Sequence, residues 1–270
     1  MAITTVNGIV AGFSLPQAFL KVTGTMEAAG IMHSLWYSAG IPGAASAPAA
    51  GLNGETCTSA TAGAIPYTNA ASGSKHLARI EVAAGVAGTL LVADRLWQNS
   101  GLVSATTTAQ AIGAPVALPA RDLNGASEGA GVIFGLEARV ATTNAGAITN
   151  TTCVYRDSGD ASPNTGTIAS FPATAAAGTF VPFQLAAGDL GMKSVTSVTL
   201  GTSYGTGTLH LVAYRPLAFL QVGAAGIGNA ADAIQLALPK LYDDTCLQLF
   251  WIPSATTTTT VSGMIKYTEG

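Results

Sequence analysis

Short strand-like segments follow one another between residues 129 and 222, and this succession constrains the fold more than any other feature of the chain. In the first segment, apolar residues occupy every second position from Val132 to Val140, and Glu137 and Arg139 fall between them. A period of two indicates a strand with one buried face. The later segments are each bounded by Gly, Asp, Asn or Ser, and they cover residues 150–156, 179–185, 194–200 and 208–222. The pattern predicts an all-β protein built on an antiparallel, jelly-roll-like β-sandwich.

The rest of the chain predicts more strands, long loops and one short helix. Further strands are expected at residues 75–82, 88–97, 247–252 and 261–267. Long loops are expected where turn-forming residues dominate, at residues 40–74 and 98–129. Residues 229–240 favour a C-terminal helix that Asn229 caps and Pro239 limits. Residues 2–12 predict an arm or an edge strand.

We expect the chain to be organised in three regions. Residues 1–100 are an N-terminal β region, residues 101–222 the central β-sandwich, and residues 223–270 a C-terminal region with the helix and the last two strands. Residues 16–22 match residues 216–222 at five of seven positions, which suggests that the first and third regions pack together. A single large domain is the alternative, because 270 residues suffice for either arrangement.

Charged side chains are scarce, at 9% of the chain, whereas an ordinary soluble domain has roughly 25%. A membrane-spanning helix would explain this scarcity, but it needs about 20 consecutive apolar residues, and the sequence has no such run. The explanation that remains is a surface covered by other subunits, which removes the need for solubilising charge. We therefore expect a homo-oligomer or a protein partner, and no membrane.

Two further possibilities are not expected from the sequence. A net charge of -3, with the eleven basic residues scattered singly, argues against a nucleic-acid partner. The first residues contain neither a basic n-region nor an apolar h-region. We therefore expect no signal peptide, and synthesis in the cytoplasm.

No metal site and no cofactor are predicted. Cys57, Cys153 and Cys246 are odd in number and far apart, which favours buried free thiols over a zinc site or a disulfide framework. Residues 157–164 offer oxygen ligands, but they lack the spacing and closing Glu of an EF-hand, so a turn is expected there and calcium is the alternative. The glycines of residues 223–229 do not follow G-x-G-x-x-G, so they predict a flexible connection rather than a nucleotide loop.

One motif resembles a catalytic one. Residues 125–129 match G-x-S-x-G, in which Ser127 would be the nucleophile. That motif requires a strand before the serine and a helix after it. Here turn residues precede it and a predicted strand follows. We expect a loop and no enzyme, and a serine hydrolase is the least favoured function.

Aromatic residues beside Leu and Ile are the candidate contact residues, because aromatic rings often anchor protein interfaces. The candidate interface consists of Trp36, Tyr37, Trp97, Phe250 and Trp251. Packing in the core is the ordinary use of such residues. A third use of the same five rings is stacking on a sugar, which would suit a protein that binds a host surface glycan.

Several features occur together: the Met1-Ala2 start, the low charge, strands entered by Gly-Thr at Gly88, Gly178 and Gly207, and a hydroxyl-rich run at residues 255–260. In these features the chain resembles virion structural proteins of tailed bacteriophages. The resemblance implies a location in the virion and a non-enzymatic role as a capsid decoration, cement or minor capsid protein. The implied partners are the major capsid protein and other virion proteins. The alternative within this group is a tail, baseplate or fibre component that binds a glycan.

Overall fold

A computed structural model describes residues 3–24, 29–113 and 116–270. The regular secondary structure of these ranges consists almost entirely of antiparallel strands, which confirms the all-β prediction. The helical elements are α1 (Val6–Ala11) and a 3-10 turn (Gly51–Asn53). The strands are β1 (Gln17–Val22), β2 (Met32–Ser34), β3 (Ala39–Ile41), β4 (Glu55–Thr56), β5 (Lys75–Ala84), β6 (Gly88–Gln98), β7 (Gln110–Ala111), β8 (Ile133–Val140), β9 (Thr151–Asp157), β10 (Asn164–Ile168), β11 (Thr179–Pro182), β12 (Met192–Thr199), β13 (Thr208–Val222), β14 (Asn229–Ala231), β15 (Lys240–Leu241), β16 (Leu247–Pro253) and β17 (Thr260–Glu269).

Six strands of the central sheet close into a small barrel. Their order is β13-β8-β11-β2-β16-β6, and β13 pairs with both β8 and β6, so the two ends of the series meet. Strand β4 extends the sheet beyond β6. A closed barrel of this size has an interior just wide enough for side chains to fill it. The pattern of alternating residues does not predict this closure.

Two sheets flank the barrel and bury its outer wall, so that the layers pack face to face as in a sandwich. The four-stranded sheet β10-β9-β12-β7 packs against the barrel through a core that includes Phe134, Leu211 and Tyr155. The sheet β14-β5-β17-β1-β3, with β15 beside β5, packs through a second core that includes Leu90 and Ile265. Strand β17 lies between β1 and β5, which joins the two ends of the chain. The division into three regions, or into one domain, stays a prediction.

Strand β13 contributes to both outer cores because it contains a bulge in its pairing with β6. Its first half buries Leu209 and Leu211 in the core under the four-stranded sheet. Its second half buries Leu220 and Val222 in the other core. Between Pro216 and Ala218 the pairing with β6 passes over Leu217. One extra residue exchanges the two faces of a strand, so this bulge lets a single strand serve two cores.

The prediction that β8 has one buried face is wrong. Phe134 and Leu136 do face a core, but Glu137 on the opposite face is fully buried too, and only the end of the strand at Val140 is exposed. The opposite face lines the interior of the barrel. Sequence periodicity could not show this, because a charged residue at an alternate position ordinarily indicates solvent.

The predicted C-terminal helix at residues 229–240 is also wrong. Asn229–Ala231 form β14, which pairs with β5. The Asp232 carboxylate then accepts hydrogen bonds from the backbone N–H groups of Ile234 and Gln235, 3.0 Å each, and holds a single turn. Ala237 has a positive φ of 54°, which ends the turn before a helix can continue.

At the other end of the chain, residues 6–11 form α1 rather than an edge strand.

The loops follow the prediction in outline. Residues 40–74 contain only the end of β3, the 3-10 turn and the short β4. The described residues between 98 and 129 contain only the short β7 after the end of β6. Within the described ranges, no helix has the length and apolar character that crossing a membrane requires. The three cysteines are buried free thiols, as expected.

Gly135 on the inner wall of the barrel provides a test of this packing. A Cβ atom there would lie 2.3 Å from Cζ of Phe180 and 2.8 Å from the carbonyl oxygen of Val181. We expect Gly135→Ala to lower the free energy of unfolding by about 1–3 kcal/mol, as measured by urea denaturation. Gly146→Ala is the control, because a Cβ there meets nothing within 4 Å. Equal effects of the two substitutions would contradict the packing of Phe180 inside the barrel.

Candidate functional site

The interior of the barrel has an apolar end and a polar end. Phe180, Tyr214 and Phe250 fill the apolar end, with ring centres 4.9 to 5.4 Å apart. Arg95 of β6 and Glu137 of β8 occupy the polar end, and β13 lies between their strands. This polar end is the most unusual chemical feature of the chain, because two charged groups lie where small barrels ordinarily hold apolar side chains.

Arg95 and Glu137 form a bidentate ion pair that is closed to solvent. The NH2 group of Arg95 lies 2.8 Å from Oε2 of Glu137, and NH1 lies 3.2 Å from Oε1. Both side chains are 0% exposed. Burial acts to raise the pKa of Glu137, but the Arg95 guanidinium outweighs it and holds that pKa below its ordinary value. The pair is therefore ionised in the folded protein.

Polar side chains surround this ion pair and satisfy its remaining hydrogen bonds. Arg95 donates from Nε to Gln98 Oε1 at 2.8 Å and from NH1 to Gln248 Oε1 at 3.0 Å. The amides of these glutamines donate in turn to Glu55 at 2.8 Å and to Ser34 at 2.9 Å. The guanidinium also lies over the ring of Trp36, 4.8 Å from its centre. These contacts link β6 to β2, β4, β8 and β16.

A second charge cluster lies beside the same strand. Asp94 is fully buried, with Arg121 Nε 3.3 Å and Arg215 NH2 3.8 Å from its Oδ2 atom. Its Oδ1 atom accepts a hydrogen bond of 2.9 Å from the backbone N–H of Cys246. Arg121 also donates to the carbonyl oxygens of Cys57 and of Asp244. The cluster thus attaches the loop before β8 to β6 and to the segment that enters β16.

A solvent-accessible pocket opens at the polar end of the barrel, and we call it the Arg139 pocket. It has a volume of about 210 Å³. Arg139 of β8 lies over the ring of Tyr37, with its guanidinium carbon 4.3 Å from the ring centre. The Tyr37 hydroxyl is hydrogen-bonded to Nδ1 of His210 at 2.9 Å. The residues that line the pocket are Val22, Gly24, His33, Ser34, Tyr37, Ser38, Ala39, Arg139, Ala177 and Gly178.

The two histidines near this pocket are neutral in the folded protein. Burial lowers the pKa of His33 and of His210 to about 4, from an ordinary value of 6.5. Their contribution to stability is therefore complete above pH 6.5 and is lost as the pH falls through 4. Asp94 acts in the opposite sense, because burial raises its pKa from 3.8 to about 6. Its contribution is complete below pH 3.8 and is lost as the pH rises through 6.

The predicted contact aromatics lie in the interior of the chain, with one exception. Trp97, Phe250 and Trp251 are buried in the three clusters around and inside the barrel, and Trp36 is buried beside Cys57 and Cys246. In this conformation they contact their own chain and offer no open surface to a second one. Tyr37 is half-buried at the Arg139 pocket. An interface formed by these five residues stays a prediction.

The hypothesis that Trp36, Trp97 and Trp251 stack on a glycan is wrong for this conformation. Stacking needs a ring face that is open to the ligand, and these indoles are exposed by 2% or less. The sequence could not separate this use from core packing, because both favour aromatic residues next to Leu and Ile.

The loop that contains Ser127 is organised by a carboxylate. Asp122 is buried, and its two carboxylate oxygens accept hydrogen bonds from four backbone N–H groups of the loop, those of Asn124, Ala126, Glu128 and Ala130. Ser127 is exposed on this loop. The next element is the strand β8 and not a helix. The loop therefore has the form predicted from the sequence, without the strand–turn–helix geometry that activates a nucleophilic serine.

The Asp-rich turn at residues 157–164 is held by contacts within the protein. Asp157 Oδ1 accepts a hydrogen bond of 2.7 Å from the backbone N–H of Ala161. Asp160 pairs with Arg156 at 3.0 Å and with Lys193 at 3.0 Å. In the part of the chain that the structure describes, no three His, Cys, Asp or Glu side chains gather as a metal site would require. The glycine-rich stretch after β13 leads into β14.

An uncharged apolar surface lies at the N-terminal part of the chain. No charged residue precedes Lys21 in the described part. Helix α1 buries none of its residues, and Leu15 after it is 82% exposed. On the neighbouring sheet, Leu20 of β1 and Ile41 of β3 are direct cross-strand neighbours, and both are exposed. We call residues 3–16 the arm, and the exposed side of β1 and β3 the outer face.

Comparisons with known proteins find only distant similarities. No family model and no curated protein matches the sequence. Among solved structures, the VP2 subviral particle of infectious bursal disease virus is 9% identical over 95% of this chain and 80% of that one, with a TM-score of 0.20. A mutant VP2 in T=1 particles of the same virus is 10% identical over 95% and 77% of the two chains, also with a TM-score of 0.20. Scores this low carry no argument about this chain.

The role of the Arg95–Glu137 pair can be measured by removing one charge. We expect Glu137→Gln to lower the free energy of unfolding by about 3–5 kcal/mol, because it leaves a buried guanidinium without its counter-ion. Urea denaturation at neutral pH gives this quantity. Asp160→Asn is the control, since Asp160 pairs with Arg156 and Lys193 at the exposed surface, where ion pairs contribute little. A comparably small effect of both substitutions would show that the pair is not sealed from water.

Proposed function

We propose that this chain is a non-enzymatic structural subunit of a virus particle, and that it acts by burying its outer face and arm against other subunits. The observation that carries the proposal is the exposed apolar surface of the arm and of Leu20 and Ile41, none of whose residues is charged. Contiguous exposed apolar surface rimmed by polar residues is typical of protein interaction sites.

The placement of charges strengthens this argument. The chain has eleven basic residues, and five of them are buried: Lys21, Lys75, Arg95, Arg121 and Arg215. Of the acidic residues that the structure describes, three are buried with them, namely Asp94, Asp122 and Glu137. The surface is therefore even poorer in charge than the composition suggests. Such a surface suits a protein whose surface is covered by other subunits in the assembled particle.

Within this class we favour a decoration, cement or minor capsid protein of a bacteriophage head, with the major capsid protein as its partner. Each copy would add apolar contact area across the boundaries between shell subunits. At about 25 cal/mol per Å² of apolar surface removed from water, even a modest contact resists separation. A stable interface of this kind buries more than about 1,000 Å².

The proposal predicts that the purified chain self-associates through the outer face. Sedimentation velocity across a wide concentration range should show dimers or larger species. The double variant Leu20→Lys/Ile41→Lys should shift them to monomer, because it places two charges in a surface that becomes desolvated. Leu123→Lys/Leu190→Lys is the matched control, since it adds the same two charges at exposed leucines outside β1 and β3.

Two results would count against the proposal in different ways. A wild-type chain that stays monomeric at every concentration contradicts self-association and with it the proposed function. Equal disruption by both double variants would place the contact elsewhere on the surface and contradict the assignment of the outer face.

A further inference from the structure

We propose that the Arg139 pocket is a binding site for a carboxylate group. This inference does not depend on the proposed function. Arg139 is the cation at the mouth of the pocket, and among the described residues its guanidinium stacks on Tyr37 and has no acidic partner. Its Nε atom is buried without a hydrogen-bond partner. Buried donors of this kind are almost always paired in native proteins, so an unpaired one indicates a missing acceptor.

A second observation points to the same ligand. His33 lines the pocket, is 2% exposed, and has no hydrogen-bond partner for its Nδ1 atom within the described ranges. A neutral imidazole with a proton on that nitrogen is a donor. The pocket therefore presents a guanidinium and an unpaired imidazole nitrogen, and both can donate hydrogen bonds to the oxygen atoms of one small anion.

The charges around the pocket favour an anion over a neutral ligand. The Arg95 charge inside the barrel is balanced by Glu137. Arg139 has no such balance in the described part of the chain. Lys21 is a further buried cation near the pocket, and its Nζ lies 2.8 to 3.4 Å from the carbonyl oxygens of Ser38, Pro42 and Gly43. The charge of Lys21 thus makes the electrostatic potential near the pocket more positive, but its N–H groups already donate to backbone carbonyl oxygens.

Geometry and size favour a carboxylate over a larger or more highly charged anion. Stacking on Tyr37 holds the Arg139 guanidinium in one plane, and the planar fork of an arginine matches the two oxygens of a carboxylate. The pocket volume of about 210 Å³ is below that of typical drug-sized sites. A short acid, or the end of an Asp or Glu side chain, fits this space.

A larger cavity in the described part of the chain lacks an unpaired cation. It measures about 540 Å³ and is lined by Tyr67, Lys75 and Tyr267 among others. Its cation Lys75 is already paired with Glu269 at 3.2 Å and donates to the carbonyl oxygen of Thr68 at 2.7 Å. The cation of this cavity is therefore already paired, whereas Arg139 is not. The Tyr67 hydroxyl in its lining is buried without a hydrogen-bond partner, but it is a neutral group.

The test uses acetate as the probe and the intact chain. In wild-type protein labelled with ¹⁵N-arginine, acetate at constant ionic strength should shift the Arg139 Nε–H signal in a saturable way. Arg139→Gln should weaken acetate binding about tenfold or more, because a charge-assisted pair of hydrogen bonds is lost. Arg139→Lys keeps the charge but loses the fork, so it should bind with intermediate strength.

Arg156→Gln is the control for a general effect of removing an arginine, since Arg156 lies in an exposed ion pair. It should leave acetate binding unchanged. Three results would overturn the proposal: no saturable shift of the Arg139 signal in wild type, equal binding by Arg139→Gln, or tighter binding of inorganic phosphate than of acetate. The wild-type signal tests the proposal even if a variant does not fold.

A second measurement identifies the source of the carboxylate. If the natural ligand is an acidic side chain of a second copy, acetate should dissociate the self-associated form, and Arg139→Gln should associate more weakly than Arg156→Gln. If acetate binds and association does not change, the ligand is a small free acid. Both outcomes support a carboxylate site, and loss of the self-association itself would bear only on the proposed function.

Discussion

The buried ion pair between Arg95 and Glu137 is the constraint on which the rest of the structure depends. Either charge alone in the barrel would be costly, so β6 and β8 must stay on either side of β13 in one register. Gln98 and Gln248 accept hydrogen bonds from Arg95, and through them the position of the ion pair also fixes β4 and β16. An apolar filling would permit several packings of similar energy, whereas a bidentate pair with satisfied neighbours permits one. We interpret the pair as a device that fixes the closure of the barrel.

The buried charged residues and the apolar exposed surface both result from the way this chain distributes its few charges. Charged residues are few in this chain, and a third of those that the structure describes are buried. There they hold strands and loops together. Asp94 and Arg121 attach the loop before β8, and Asp122 organises that loop from within. What remains outside includes an arm without charge and a sheet face with apolar cross-strand neighbours. A surface of this composition gains stability when a neighbouring subunit covers it.

Sequence reasoning predicted the strands well, because alternation and turn residues are local signals. It predicted β13 with its observed ends, and it predicted β6 to within one residue of its observed end. It failed where the outcome depends on contacts between distant residues. Glu137 looked solvent-exposed because its partner is 42 residues away, and residues 229–240 looked helical because the Asp232 turn and the pairing of β14 are not visible in composition. The Arg139 pocket was missed for the same reason, since Tyr37, His210 and Arg139 meet only when the barrel closes.

The central claim is that the outer face and the arm are covered by neighbouring subunits. Carbene footprinting read by mass spectrometry tests it most directly, because it reports the accessibility of individual apolar side chains in solution. Comparison of a dilute and a concentrated sample should show protection of Val10, Leu15, Leu20 and Ile41 in the concentrated one, with Leu190 labelled equally in both. Unchanged labelling of the outer face and arm in the concentrated sample would contradict the claim.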